Sequence, residues 1–132
     1  MNKVVARFAD GRMVKGNTRD FVIGKESFHL EVQGAPLSSK PVLLQIKELK
    51  ALFFVKDFQG KPQYKPRQEF DAGKPVVGRK IRVLFNDGEE MVGTTNGYQP
   101  GRPAFFMFPA DQNSNTLRCL VVTASTREIT FL

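Results

Sequence analysis

The chain has 132 residues and a formal net charge of +7, from 20 Lys and Arg against 13 Asp and Glu, with 12 Phe and no Trp. That length holds one ordinary domain or two very small ones, and the aromatic content supplies a core that a disordered chain lacks. No apolar run approaches the roughly 20 residues of a membrane span, and Met1-Asn2-Lys3-Val4-Val5 lacks the profile of a secretion signal, so neither a membrane role nor export is expected.

Two strands open the chain. Val4, Ala6 and Phe8 alternate toward one face, Asp10-Gly11 supplies the positive φ of a tight hairpin turn, and a second strand runs over 12–18 with Gly16 in its middle. A mid-strand glycine marks a bulge, a bend or a close approach of another backbone. A third strand is expected over 27–32, a fourth over 41–46, a single helical turn at 47–50 and a fifth strand over 51–55. Residues 57–78 follow, with Pro62, Pro66, Pro75, three glycines and the basic string Lys61, Lys65, Arg67, a composition that argues against regular structure.

From residue 80 the punctuation recurs at a constant offset of 77 positions. Phe8, Asp10, Gly11, Gly16 and Thr18 fall on Phe85, Asp87, Gly88, Gly93 and Thr95; Phe21, Gly24, Phe28 and Phe54 fall on Tyr98, Gly101, Phe105 and Phe131. Strands are therefore expected over 81–85, 89–95, 104–108, 117–123 and 128–132, with a helical turn at 124–127. A period of this length marks a duplicated supersecondary unit, and five short strands per unit with frequent turns point to a small barrel. The fold expected is all-β: two tandem small SH3-like or Sm-like barrels related by an internal repeat, at 1–56 and 79–132, joined by the Pro/Gly-rich basic connector 57–78. Each unit alone buries only about 60% of its unfolded surface, so the halves are expected to share an interface, with a homodimer as the other solution.

The order of apolar strand, Asp-Gly, glycine-bearing strand and aromatic turn resembles Sm-like and other SH3-like barrels over both halves. Sm-like RNA binders read bases with an Asp…Asn loop after the second strand and an Arg-Gly loop between the last two. Here the first loops read Thr18-Arg19-Asp20-Phe21 and Thr95-Asn96-Gly97-Tyr98, and the second lack Arg-Gly, so those base-reading residues do not carry over. The stretches 49–58 (LKALFFVKDF) and 87–118 (DGE…GTTNGYQPGRPAFFMFPAD…SN…R) resemble a family of small, uncharacterised bacterial domains. The resemblance implies a bacterial cytoplasmic protein and no established activity.

Catalytic chemistry has few candidates. One His and one Cys cannot furnish a zinc tetrad, no Gly-x-Ser-x-Gly elbow or phosphate-cradling glycine loop occurs, and His29 reads as a strand residue. Cys119, in the apolar run 117–122, excludes an internal disulfide and suits a reducing compartment. No enzyme, cofactor or metal is expected.

The function expected is a non-catalytic regulatory or adaptor module for a protein partner, through the segment 98–118 and the doubly apolar strand Phe105-Phe106-Met107-Phe108. Within that segment Arg102 and Arg118 offer donor forks for a carboxylate or phosphate beside the faces of Tyr98 and Phe106; the structural alternative pairs either arginine with Asp111 to pin the loop. A second alternative is a nucleic-acid-binding module. Residues 1–70 carry 13 cations against 7 acids, +6, and residues 71–132 carry 7 against 6, +1. Lys3, Arg7, Lys15 and Arg19 on the first hairpin are the residues such a module would use, although basic charge by itself specifies no polyanion.

Overall fold

In a computed structural model, which describes residues 1–60 and 63–132, ten antiparallel strands make a single sheet. They are β1 (Asn2–Phe8), β2 (Met13–Thr18), β3 (Ser27–Val32), β4 (Val42–Gln45), β5 (Leu49–Val55), β6 (Arg79–Phe85), β7 (Glu90–Thr95), β8 (Ala104–Pro109), β9 (Thr116–Val122) and β10 (Thr126–Phe131). The helical turns are three-residue 3₁₀ turns, Ile46–Glu48 and Thr123–Ser125, one position earlier than the sequence pattern suggests. No helix among the described residues is long and apolar enough to cross a membrane.

The spatial order is β10-β6-β7-β8-β9-β5-β1-β2-β3-β4. The sheet is all antiparallel and is not closed on itself. The two halves are joined by a continuous ladder in which β5 pairs β9, Leu52 opposite Leu120 and Phe53 opposite Cys119. The outer edges of the sheet are β4 and β10.

The reason for the junction lies in strands that are apolar on both faces. Side chains alternate across a strand, and here each face fills a different core. Leu52, Phe54, Leu120 and Val122 join Val4, Ala6, Phe8, Phe28 and Leu30 in one cluster. Ala51, Cys119, Val121, Phe105 and Met107 join Ile81, Val83 and Phe85 in the other. The doubly apolar strand Phe105–Phe108 is thus largely consumed inside the molecule, with only Phe108 exposed. Burying both faces of β5 and β9 against two cores removes more apolar area from water than either half achieves alone.

The turns show local chemistry at work. Gly11 and Gly88 have φ of 96° and 93°, and among the described residues none other than glycine has positive φ. The hairpins are therefore not two-residue turns with both central residues left-handed. Phe8 N–H donates to the Arg12 carbonyl and Gly11 N–H to that of Phe8, closing a longer loop with a single left-handed glycine. Asp10 accepts from Arg12 N–H and Asp87 from Glu89 N–H, both at 3.0 Å, and these bonds fix the turns from within. Gly16 and Gly93 serve a different need: a β-carbon there would lie 2.3 Å from the Glu31 carbonyl oxygen and 1.9 Å from that of Phe108. The neighbouring strand's backbone occupies the space.

The connector carries no strand or helix among its described residues; its start at Phe58 is held by the first half and its later part lies against the second. Lys61 of its basic string and Pro62 fall outside the described residues. Gln68 accepts from Val92 N–H at 2.8 Å, and the Lys80 ammonium sits 4.8 Å from the centre of the Phe70 ring.

Candidate functional site: a cleft between the two halves

The four residues singled out as a ligand ledge do not converge. Tyr98 stacks on Phe131 (5.4 Å between ring centres) and tilts against Phe105 (5.0 Å), so its ring serves the second core. Phe106 points to the opposite face and joins Phe21 and Phe54 beside the first core. The Arg118 guanidinium lies between those rings, 4.3 Å from Phe54 and 4.4 Å from Phe106, a cation–π contact that covers the end of the core. Arg102 lies elsewhere. Met107 is opposite Cys119 on the ladder, which puts Arg118 level with Phe108, four positions beyond Ala104, about 13 Å along the strand.

Asp111 pairs with neither arginine. Its carboxylate is fully buried and accepts from the Tyr64 hydroxyl, from Arg67 N–H at 2.8 Å and from Asn113 N–H at 2.9 Å. Those hydrogen bonds, the Tyr64 one foremost, hold its pKa down at about 2 despite burial. Asp111 is the post to which the connector is tied.

The basic residues of the first hairpin divide. Lys3, Arg7 and Lys15 share one face of β1 and β2, since Val5, which lies between Lys3 and Arg7, is opposite Lys15. Lys15 donates to the Phe58 carbonyl at 2.5 Å, and Lys3 lies 5.9 Å from the Phe58 ring centre. Both thereby hold the start of the connector, while Arg7 is exposed. Arg19 is in an ion pair with Glu31 at 3.1 Å, and Glu31 is opposite Asn17, itself the partner of Lys3, so its charge is already matched. His29 is exposed and pairs with Asp20 at 2.7 Å, which lowers the Asp20 pKa. Among the described residues no group of three or more His, Cys, Asp or Glu could hold a metal ion. Burial pushes the Cys119 thiol up, away from the reactive thiolate.

A cleft of about 590 Å³ does bring candidate side chains together, and Arg102 belongs to it. Its floor is apolar: Ile46, Leu120 and Val122 are buried, and Phe21 is wedged edge-on against Phe28 and Phe54. Its rim carries Lys25, Lys47 and Arg102, with Glu26 as its one acid. The three cations come from three segments: the loop ahead of β3, the 3₁₀ turn ahead of β5, and the loop ahead of β8. None of them forms an ion pair with a described residue. The backbone nearby is already committed, since Lys25 N–H donates to Val22, Ile46 N–H to Glu26 and Arg102 N–H to Gln99. Neither Lys25 nor Lys47 belongs to a recognisable motif. The signal that marks Lys25 is its offset of 77 positions from Arg102, each cation following a glycine at positive φ, 97° at Gly24 and 87° at Gly101.

A family model described as a family of unknown function (DUF6982) matches residues 1–132. No curated protein and no solved structure matches the chain.

Proposed function

We propose, for a chain that belongs to this family of unknown function, a non-catalytic adaptor module that binds a protein partner at the open edge of its sheet. The finer architecture in this reading is two SH3-like or Sm-like five-stranded units in tandem. Support comes from the strand order, 5-1-2-3-4 in the first half and 10-6-7-8-9 in the second, and from β1–β3 and β6–β8 having bounds 77 positions apart.

The observation that carries the functional reading is β4. Its counterpart in the second half, β9, is covered on its outer side by β5, whereas β4 ends the sheet. Val42 and Leu43 are 42% and 53% exposed there, and Leu37 in the preceding loop is fully exposed. An edge strand with free backbone donors and acceptors and exposed apolar side chains recruits a further strand, and apolar surface of this kind marks interaction sites. The face moves from β8, whose apolar residues the cores absorb, to β4.

The test is a photo-crosslinking amino acid placed at Leu43 in cells, with one at exposed Glu90 as control. A discrete heterologous adduct at position 43, absent at 90 and lost on adding Val42→Asp, is expected. No adduct, or one containing only the chain itself, removes the adaptor reading.

Nucleic acid is the second reading, favoured by the shared face of Lys3, Arg7 and Lys15. Binding to labelled single-stranded RNA or duplex DNA that persists near 0.15 M salt (~8 Å screening length) and is lost with Arg7→Ala would support it. Binding abolished by modest salt would reflect net charge alone.

A further inference from the structure

We propose that the cleft between the two halves binds a small, freely diffusing amphipathic anion, its carboxylate or phosphate head held by Arg102, Lys25 and Lys47 and its apolar body lying on Ile46, Leu120 and Val122. The site adjoins the end of β4, whose last residue Gln45 lines it, and requires no protein partner.

Size comes first. A volume of about 590 Å³ falls among cavities that enclose small molecules, and such sites combine a mostly apolar lining with a few convergent polar groups. The lining here has that composition. The floor is preformed, because Ile46, Leu120 and Val122 belong to the packed first core and Phe21 is gripped by neighbouring rings. Little ordering has to accompany binding.

Charge selects the ligand. Three cations against one carboxylate leave 3 − 1 = +2 at the rim. Arg12, Arg19, Lys50, Arg67 and Lys74 are each matched to a carboxylate, while other cations such as Arg7 and Lys80 are unmatched among the described residues, on open surface; the cleft differs in gathering three of them around an apolar floor. At the cleft the matching group is missing among the described residues, beside a low-dielectric apolar wall that strengthens attraction for an incoming anion. Arg102 brings a planar fork suited to two oxygens of a carboxylate or phosphate, and the lysines add point charges. A neutral or cationic amphiphile would leave that charge uncompensated. A polyanionic strand is disfavoured too, since stacking needs accessible aromatic faces and Phe21 is packed edge-on into the core.

Both halves contribute the site. Lys25 and Arg102 occupy positions 77 apart, as do Lys47 and Ala124, and all four line the cleft. The juxtaposition exists because the β5–β9 ladder sets one half beside the other, so neither half alone would bind.

The test uses the full chain and isothermal titration with dodecyl phosphate and dodecanoate below their micelle-forming concentrations, against a neutral dodecyl ether of the same tail length. Both anions should bind with 1:1 stoichiometry and the neutral ether at least about tenfold more weakly, as expected when charge-assisted hydrogen bonds are lost. Arg102→Ala with Lys47→Ala should weaken the anions about tenfold or more and leave the melting temperature unchanged, because neither side chain has an ion-pair partner to lose. Ala124→Trp, which fills the cleft from an exposed position, should block both anions. Equal binding of the neutral ether, undiminished binding by the double variant, or no binding of either anion would each overturn the proposal.

Discussion

The ammonium of Lys50 stands 2.6 Å from the Asp87 carboxylate, across 37 positions of sequence, and 2.5 Å from that of Glu89. Lys50 is the second residue of β5, the strand that leaves the first half's 3₁₀ turn, and the two acids sit in the β6–β7 hairpin of the second. Its side chain is only 10% exposed and its ammonium lies 4.7 Å from the centre of the Phe85 ring, while both acids are about half exposed. Beside it the Ser125 hydroxyl donates to the Lys50 carbonyl at 2.7 Å, a second polar tie across the junction. The β5–β9 ladder makes the two halves one sheet, and Lys50 clasps its upper end.

Lys50→Met keeps the apolar stem and removes the charge. Asp87 and Glu89 can turn to water, so the cost is that of the lost charge-assisted bonds, about 1–3 kcal/mol at neutral pH. The bond from Lys50 lowers the Asp87 pKa. A carboxylate whose folded pKa is depressed stabilises above its unfolded value and loses that contribution as pH falls through the folded one. The gap between wild type and Lys50→Met in urea denaturation should therefore narrow as pH falls below the unfolded carboxylate value of about 3.9. A gap independent of pH would contradict the clasp.

Asp111 makes a sharper acid prediction. Its folded pKa of about 2 lies below the unfolded value near 3.9, so its tie to Tyr64 and Arg67 is intact above pH ~4 and is lost as pH falls toward ~2. Asp111→Ala should release the connector at neutral pH. Trypsin is then expected to cut after Arg67, which Gln68 follows, several-fold faster than in the wild type, while the strands of the sheet resist. Unchanged cleavage would mean that the connector is held by other contacts.

Two kinds of glycine separate on substitution. Gly16→Ala and Gly93→Ala drive a β-carbon into a carbonyl oxygen of the adjacent strand and should each cost about 2–3 kcal/mol through overpacking. Gly88→Ala meets no atom within 4 Å and carries only the burden of φ +93°, about 1–2 kcal/mol. Urea midpoints of the three variants decide the matter; equal losses would show that close strand approach is not what the mid-strand glycines serve.

Much of the backbone was legible because its determinants are local. Alternation at Val4, Ala6 and Phe8, the Asp-Gly pairs, and the glycines at 16 and 93 each constrain a few neighbouring residues, and they placed the strands to within a residue or two. The offset of 77 positions is likewise a property of the linear chain, and it makes Lys25 the counterpart of Arg102 before any contact is known. Composition announced a buried aromatic core and a connector without strands. It also showed that β5 and the Phe105–Phe108 strand are apolar on both sides.

Which surfaces those doubly apolar strands meet was a matter for tertiary structure alone. Alternation says that Phe105 and Phe106 face opposite ways, but not that one enters the second core and the other flanks the first. That depends on β5 pairing with β9, a contact whose partners lie about 70 residues apart in the chain and whose register no local pattern encodes. The same long-range pairing sets the halves side by side, so that loops of both line the cleft with Arg102, Lys25 and Lys47, while Asp111 is tied to the connector instead of to Arg102 or Arg118. Strands and turns follow from short-range sterics and hydrogen bonding; a site assembled from distant loops follows from how two hydrophobic cores share one sheet.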